Sequence, residues 1–405
     1  LIDNLKATGE YDNTIVVFFG DHGSGMPRGK RFPGDSGLRV PMIVHVPDAY
    51  RELAPFGYAP GARTTQPFCF VDLAPTTLSL AGIQPPAQMQ GHALMGVHRV
   101  SQDEAPKYAY GFRGRMDERP DMVRSVRDDR YMYLRNYMLS RIHGQRVDYQ
   151  FLTPTTRVWR EMFDAGKLNV AQSRFWSKRE AEELYDLHDD PDETKNLTSD
   201  PEHAEVLTRF RAELHRHTLE IRDIELLPEP MLNAIESEQA PYDYAQSEAY
   251  PLESMLTLAN AAMQRGSQVP DSVLQALSSD DAVERYWGAA GVMARETDGV
   301  KQAQEVLVQL LDDESPTVRI TAAEALARFG PANLRDRATA VLMRDADVNV
   351  SSNFDSLWAL NALEVIGVTD ELRQAIGQLP QSSPTAARRS RGYVGRMITA
   401  LTKED

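Results

Sequence analysis

The sequence predicts an α/β core with a mostly parallel sheet, a small antiparallel subdomain after it, and an all-α array of repeats towards the C-terminus. Three observations carry this. Residues 14–19, Thr-Ile-Val-Val-Phe-Phe, are a β-branched and aromatic run that is apolar on both faces, as in a central strand covered by helices. Between 109 and 134, short β-type runs flank an Asp128-Asp129 turn. A pattern of small and apolar residues recurs at 287–294, 320–327 and 358–365, which is the signature of stacked helical repeats.

Taken in order, residues 1–9 read as the last turns of a helix stopped by Gly9. The strand at 14–19 follows and runs straight into Gly20-Asp21-His22-Gly23. Ligands of open α/β sheets bind beyond the carboxyl ends of strands, so Asp21 and His22 are metal-ligand candidates by position. Lys30 comes next, then Asp35, then Arg39-Val40-Pro41 and a second apolar strand over 41–47, in which His45 reads as a packed histidine.

This order of strand, Asp-His-Gly, Lys, acidic residue, Arg-Val-Pro and strand resembles the sulfatase family of the alkaline-phosphatase superfamily. The resemblance implies a sulfuric ester hydrolase acting on sulfated carbohydrates. Asp21 and His22 would bind a divalent metal, usually calcium, and Lys30 would bind the substrate sulfate, with Lys30 and His22 at the catalytic centre. A periplasmic or secreted address goes with the resemblance. The residue types suit the chemistry, because a hard cation and a lysine ammonium both offset charge on sulfate oxygens. The sequence departs from the family pattern at Asp35, where Glu is usual, and at Gly20, where Ser is common.

In this family the nucleophile is a formylglycine made from Cys or Ser in a Cys/Ser-x-Pro-x-Arg motif. That motif does not occur in the 405 residues. Cys69, the single cysteine, lacks the Pro and Arg and reads as a small buried residue. The chain is therefore expected to be the C-terminal part of a sulfatase, without turnover by itself. Ser24 to Arg31 has the Gly-Lys of a P-loop but lacks the leading Gly and the Ser or Thr after Lys30, which argues against nucleotide binding.

Residues 72–82 read as a scaffold helix that opens at Asp72 and stops at Gly82, with no chemistry assigned to Asp72. The strands at 109–112, 121–126 and 130–134, the Glu183-Leu-Tyr-Asp-Leu187 run and the Asp190-Pro-Asp-Glu193 turn complete the resemblance, which extends over roughly residues 1–225. Arg124 and Arg127 could face the cleft, but are expected to pair with carboxylates across strands. The stretch 138–178 holds Arg141, His143, Tyr149, Trp159, Arg160 and Trp176, a set suited either to a subsite for a sulfated sugar or to internal packing.

Residues 226–260, rich in Pro, Glu and Tyr, read as a linker or an extended arm draped over the core. Residues 261–405 resemble HEAT-type repeats, which bury their apolar faces only when stacked. The expected domains are thus 1–107, the C-terminal portion of a catalytic core; 108–225, its C-terminal subdomain; the linker; and the repeat array. The repeats could cap the enzyme domain, build a homo-oligomer or meet a partner protein or polymer. The basic run 388–391 reads as a solvated helix face, with contact to a polyanion the alternative.

A net charge of −15 argues against nucleic acid as a partner, and no apolar run approaches a membrane span. Two other function classes stay open. One is phosphomonoester, phosphodiester or phosphonate hydrolysis on the same superfamily framework. The other is a non-catalytic interaction protein with HEAT-like repeats.

Overall fold

A computed structural model describes residues 1–383 and 392–403, so the basic run 388–391 lies outside the described residues. The chain divides into two units that cut across sequence order. One comprises 1–112, 124–134 and 183–214, and the other 113–123, 135–182 and 215–405. Among the described residues no helix is long and apolar enough to cross a membrane.

The first unit opens with the Ile2–Thr8 helix, closed by Gly9 in a left-handed conformation. Strand β1 (Val16–Phe19) pairs with β2 (Met42–His45) in antiparallel register, from Val16 opposite His45 to Phe19 opposite Met42. The mostly parallel sheet expected here is therefore corrected for these strands. A parallel pair needs a crossover that carries the chain back along the sheet, usually through a helix. Residues 20–41 contain only the one-turn Asp35–Leu38 helix and fold into a compact loop, so the chain reverses. The strand is also less covered than a central strand, with Phe18 58% and Ile43 63% exposed.

Strands β3 (Ala109–Arg113), β4 (Val123–Arg127), β5 (Tyr131–Asn136) and β6 (Glu182–Asp186) form a sheet in that order. The β4–β5 turn is built by Asp128, whose carboxylate accepts from the Arg130 and Tyr131 amides at 2.9 and 2.6 Å. Such an Asx turn is why Asp at this point reverses the chain. The helix Ala204–Glu220 packs on the sheet through Leu207, Phe210 and Leu214, which meet Val126, Tyr133 and Leu184. Phe210 is wholly buried among tyrosine rings, and such burial contributes about 2 kcal/mol. Arg130 and Asp186 make a multidentate pair, and Arg209 reaches Asp128 at 2.8 Å.

In the second unit, the helices Ala282–Ala294, Pro316–Phe329 and Asn353–Ile366 contain the three recurring segments and are buried along most of their lengths. Small residues permit the close packing: a Cβ on Gly288 would lie 2.9 Å from the Leu277 amide nitrogen. The acidic turns staple successive repeats. Arg285 donates to Asp313 at 2.7 Å and Arg319 to Asp345 at 2.6 Å.

The expected linker is also corrected. Residues 226–260 contain the helices Glu229–Glu236 and Pro241–Gln246 and most of Leu252–Ala262, with Leu226, Leu227, Tyr250 and Leu252 in the unit's core. The prolines sit at the helix starts, where a missing N–H costs nothing, so they mark beginnings and not an unstructured arm.

Segments 113–123 and 135–182 belong to this same unit, joined to it by buried charge. Arg141 meets Glu324 in a bidentate pair, with side chains 3% and 2% exposed. Arg119 pairs with Glu364 and reaches Asn361 at 3.0 Å, and Arg113 and Arg179 enclose Asp121. Trp159 stacks on Phe175, with Trp176 against both, while Tyr149 is exposed. Of the two uses open to this stretch, packing thus accounts for Arg141, Trp159 and Trp176.

These pairs set an acid limit. Burial pushes the Asp121 and Glu324 carboxyls up, but Arg179 and Arg113 around the first, and Arg141 and Arg328 around the second, outweigh it and hold both below the usual range. Asp345 is lowered in the same way, burial being outweighed by Arg319, Arg344 and Ser351. A carboxyl depressed by folding adds stability above its unfolded pKa and loses it as pH falls towards the folded value. Asp355, raised by burial, opposes this, but it is one group against three. The thermal midpoint of this unit is expected to be level from pH 8 to about 5 and to fall below about 4. A midpoint unchanged down to pH 3, followed by circular dichroism, would contradict the assignment.

Candidate active site

The sheet ends where the loop begins: the Gly20 amide still bonds the Pro41 carbonyl at 3.1 Å, and the chain then leaves β1. Asp21 and His22 stand at that exit. The His22 Nε2 and an Asp21 carboxylate oxygen are 3.6 Å apart, and their side chains are 36% and 87% exposed. His22 Nδ1 lies 2.7 Å from the Gly23 carbonyl. With the proton on Nδ1, that bond fixes the tautomer and leaves the Nε2 lone pair on the side of Asp21.

One cation can meet both atoms at ordinary ligand distances, so the donor pair fits part of a divalent metal's shell. Among the described residues no group of three or more His, Cys, Asp or Glu side chains stands ready as a metal cage. The pair alone is thus an incomplete set.

The loop beyond is a tight backbone knot. Gly23 donates to the Gly37 carbonyl at 2.8 Å and Lys30 to the Ser24 carbonyl at 2.8 Å. A Cβ on Gly37 would lie 2.0 Å from the Phe32 carbonyl oxygen, and one on Gly23 2.0 Å from that of Ser36. Both neighbours are backbone and cannot swing aside. Gly37→Ala is expected to destabilise the first unit by about 1–3 kcal/mol, the usual cost of overpacking. Gly25→Ala, which would meet nothing within 4 Å, is expected to stay within about 0.5 kcal/mol of wild type. Equal denaturation midpoints for the two variants would contradict the close fit.

Lys30 is half-buried in this knot, directly before Arg31, whose φ of 83° is left-handed. A non-glycine residue held there is strained, and such strain concentrates where structure serves a site. Asp35, next in the motif, is buried. Its carboxylate meets Arg127 at 2.8 Å and Arg39 at 3.7 Å. Arg127 therefore pairs with a carboxylate, but the expected cross-strand partner is corrected, since Asp35 belongs to the loop. Arg124 is buried with its guanidinium over Phe112.

Glu193 was not singled out by sequence reasoning. Its carboxylate accepts from the Asp35 amide at 3.0 Å and lies 3.5 Å from Arg28. The signal was its place in the Asp-Pro-Asp-Glu turn, where an acidic residue in a polar stretch looks like any solvated one.

Cys69 is half-buried, and its sulfur accepts from the Tyr110 amide at 3.2 Å. Burial pushes the thiol up to about 11, which leaves it protonated at neutral pH and a poor nucleophile. Asp72 caps backbone, accepting from His92 at 2.8 Å and Cys69 at 3.0 Å, in keeping with a scaffold role.

Residues 1–83 match the Sulfatase family and residues 270–352 match HEAT repeats.

Among curated proteins, an ulvan-active sulfatase of Formosa agariphila is 37% identical over 235 residues, covering 57% of this chain and 37% of that protein. A Δ4,5-hexuronate-2-O-sulfatase of Bacteroides thetaiotaomicron is 27% identical over 228 residues, covering 54% of this chain and 37% of that protein. The chain thus spans little more than a third of the length of these relatives. A solved 2-O GAG sulfatase superposes with a TM-score of 0.38 at 24% identity, over 55% of this chain and 40% of its own.

Proposed function

We propose that the full-length protein is a sulfuric ester hydrolase acting on sulfated carbohydrates. The observation that carries this is the loop 20–39, where the Asp21-His22 pair and Lys30 stand in the sulfatase motif, within a segment that matches the Sulfatase family. The relatives named for ulvan and hexuronate sulfate support a sugar sulfate as the substrate class. In this reading 1–225 is the sulfatase portion and 261–405 the repeat array, and a periplasmic or extracellular address belongs with it.

Each residue then has a defined task. Asp21 and His22 would hold a divalent cation, calcium in the family pattern; the cation, when bound, supplies positive charge against sulfate oxygens. Lys30 binds a sulfate oxygen through its ammonium and orients the ester. His22, fixed through Nδ1, presents Nε2 without having to reorient. The formylglycine nucleophile of the family would be furnished by a part of the protein other than these 405 residues.

The test is free sulfate measured after incubation of the full-length protein with 2-O- and 6-O-sulfated uronic acids and hexosamines. Sulfate release from at least one of them is expected. Phosphate release from aryl phosphates, with no sulfate from any sugar, would move the protein to the phosphohydrolase branch.

A further inference from the structure

Lys30 is gripped from both flanks by one turn of the same unit. Arg28, two residues before it, donates to the Asp192 carbonyl at 2.8 Å and faces the Glu193 carboxylate at 3.5 Å. Asp35, five residues after it, donates its amide to the other Glu193 oxygen at 3.0 Å. Glu193 is 7% exposed and lies directly under Gly34, where a Cβ would come within 2.9 Å of its carboxylate.

The turn that delivers this carboxylate is itself constrained. Glu193 has a φ of 53°, left-handed for a non-glycine residue. Asp190 stabilises that shape by accepting from the Thr194 and Lys195 amides at 2.7 and 2.8 Å. Asn196 anchors it to β6, accepting from the Leu184 amide at 3.0 Å and the Thr198 amide at 3.1 Å. Glu193 is strained, and so is Arg31, which follows Lys30 in the 28–35 segment whose two ends Glu193 holds. A surface turn serving only to connect elements has no need to bury a carboxylate against another loop's backbone, where desolvation works against the charge.

We propose that Glu193 is a positioning residue for the sulfate-binding loop: through the Asp35 amide and Arg28 it sets the backbone of 28–35 and so the reach of Lys30. This rests on the reading of Lys30 as the sulfate-binding group. The carboxylate touches no substrate, and its influence passes through the loop alone. Displacing a binding group by even about 1 Å can cost about 100-fold in rate, so loss of this brace is felt at the chemistry and not only in stability.

The experiment compares the full-length wild type with Glu193→Ala, Glu193→Gln and Lys30→Ala, reading amide exchange over 23–38 together with KM and kcat for sulfate release. Glu193→Ala is expected to speed exchange of the Asp35 amide and to raise KM, each by about tenfold, the effect of losing one charge-assisted hydrogen bond. Glu193→Gln keeps a carbonyl facing the Asp35 amide and is expected to recover most of both.

Unchanged loop exchange in Glu193→Ala overturns the proposal, and so does faster exchange with KM and kcat unaltered, which would make Glu193 merely structural. If wild type and Lys30→Ala turn over equally, or neither does, the functional reading has failed instead. Exchange then separates the two failures: faster exchange rescued by Gln leaves Glu193 as a structural brace of a loop that does not bind sulfate, and unchanged exchange removes the brace as well.

Discussion

Glu324→Ala is expected to destabilise the second unit by about 3–5 kcal/mol, a large share of the roughly 5–15 kcal/mol that holds a typical domain folded. The reason is the partner it leaves behind. Arg141 is 3% exposed, and its guanidinium, which proteins do not deprotonate, would remain charged without the carboxylate opposite. Arg328 loses an acceptor at 2.9 Å in the same step.

The pair itself need not be worth that much. Two charges taken out of water recover only part of their hydration from each other, so Arg141→Met with Glu324→Leu is expected to cost less than Glu324→Ala alone. Glu305→Gln, an exposed change on a neighbouring helix, is expected to stay within about 0.5 kcal/mol. Urea denaturation of the four proteins decides it. A Glu324→Ala midpoint equal to wild type would mean that the repeats and segment 135–146 are not held by this pair.

Lys30→Ala in the full-length protein is expected to lower kcat/KM for sulfate release by about 100- to 1000-fold, the range seen when one charge-stabilising donor is lost from a closed site. The bond to the Ser24 carbonyl is made by the Lys30 amide and survives the substitution. The melting temperature of the variant is measured alongside, so that a fall in rate beyond any loss of fold reports chemistry. Lys30→Arg is expected to recover little. The planar guanidinium is not a substitute for a compact ammonium seated beside a strained residue. A kcat/KM within about threefold of wild type for Lys30→Ala would remove Lys30 from the site.

Local pattern made several elements readable. The run Val16–Phe19 is β-branched and aromatic, Asp128 marks its turn by composition, and the Ala-rich helices of the array repeat. What could not be read depends on partners far apart in the chain. Nothing near Arg141 announces Glu324, 183 residues away, so an Arg among aromatics suited a sugar subsite as well as a buried pair. Pairing direction was equally hidden, because an apolar strand looks the same in parallel and antiparallel sheets, and the compact loop at 20–41 decided it. Proline at a helix start and proline in a linker share a composition, which is why 226–260 read as a linker and not as helices. At the candidate site, motif order singles out Asp21, His22 and Lys30 as the proposed site residues. Glu193 was not, since its buried setting exists only once its turn meets the loop.

The most direct test of the central claim is sulfate released from a sulfated-sugar panel by the full-length, metal-loaded protein, measured beside its Asp21→Ala variant. The account predicts release by the wild type and a loss of about 100-fold or more in the variant at unchanged fold. Equal release by both would place the chemistry away from this loop, and no release by a fully matured, metal-loaded wild type would contradict the hydrolase assignment itself.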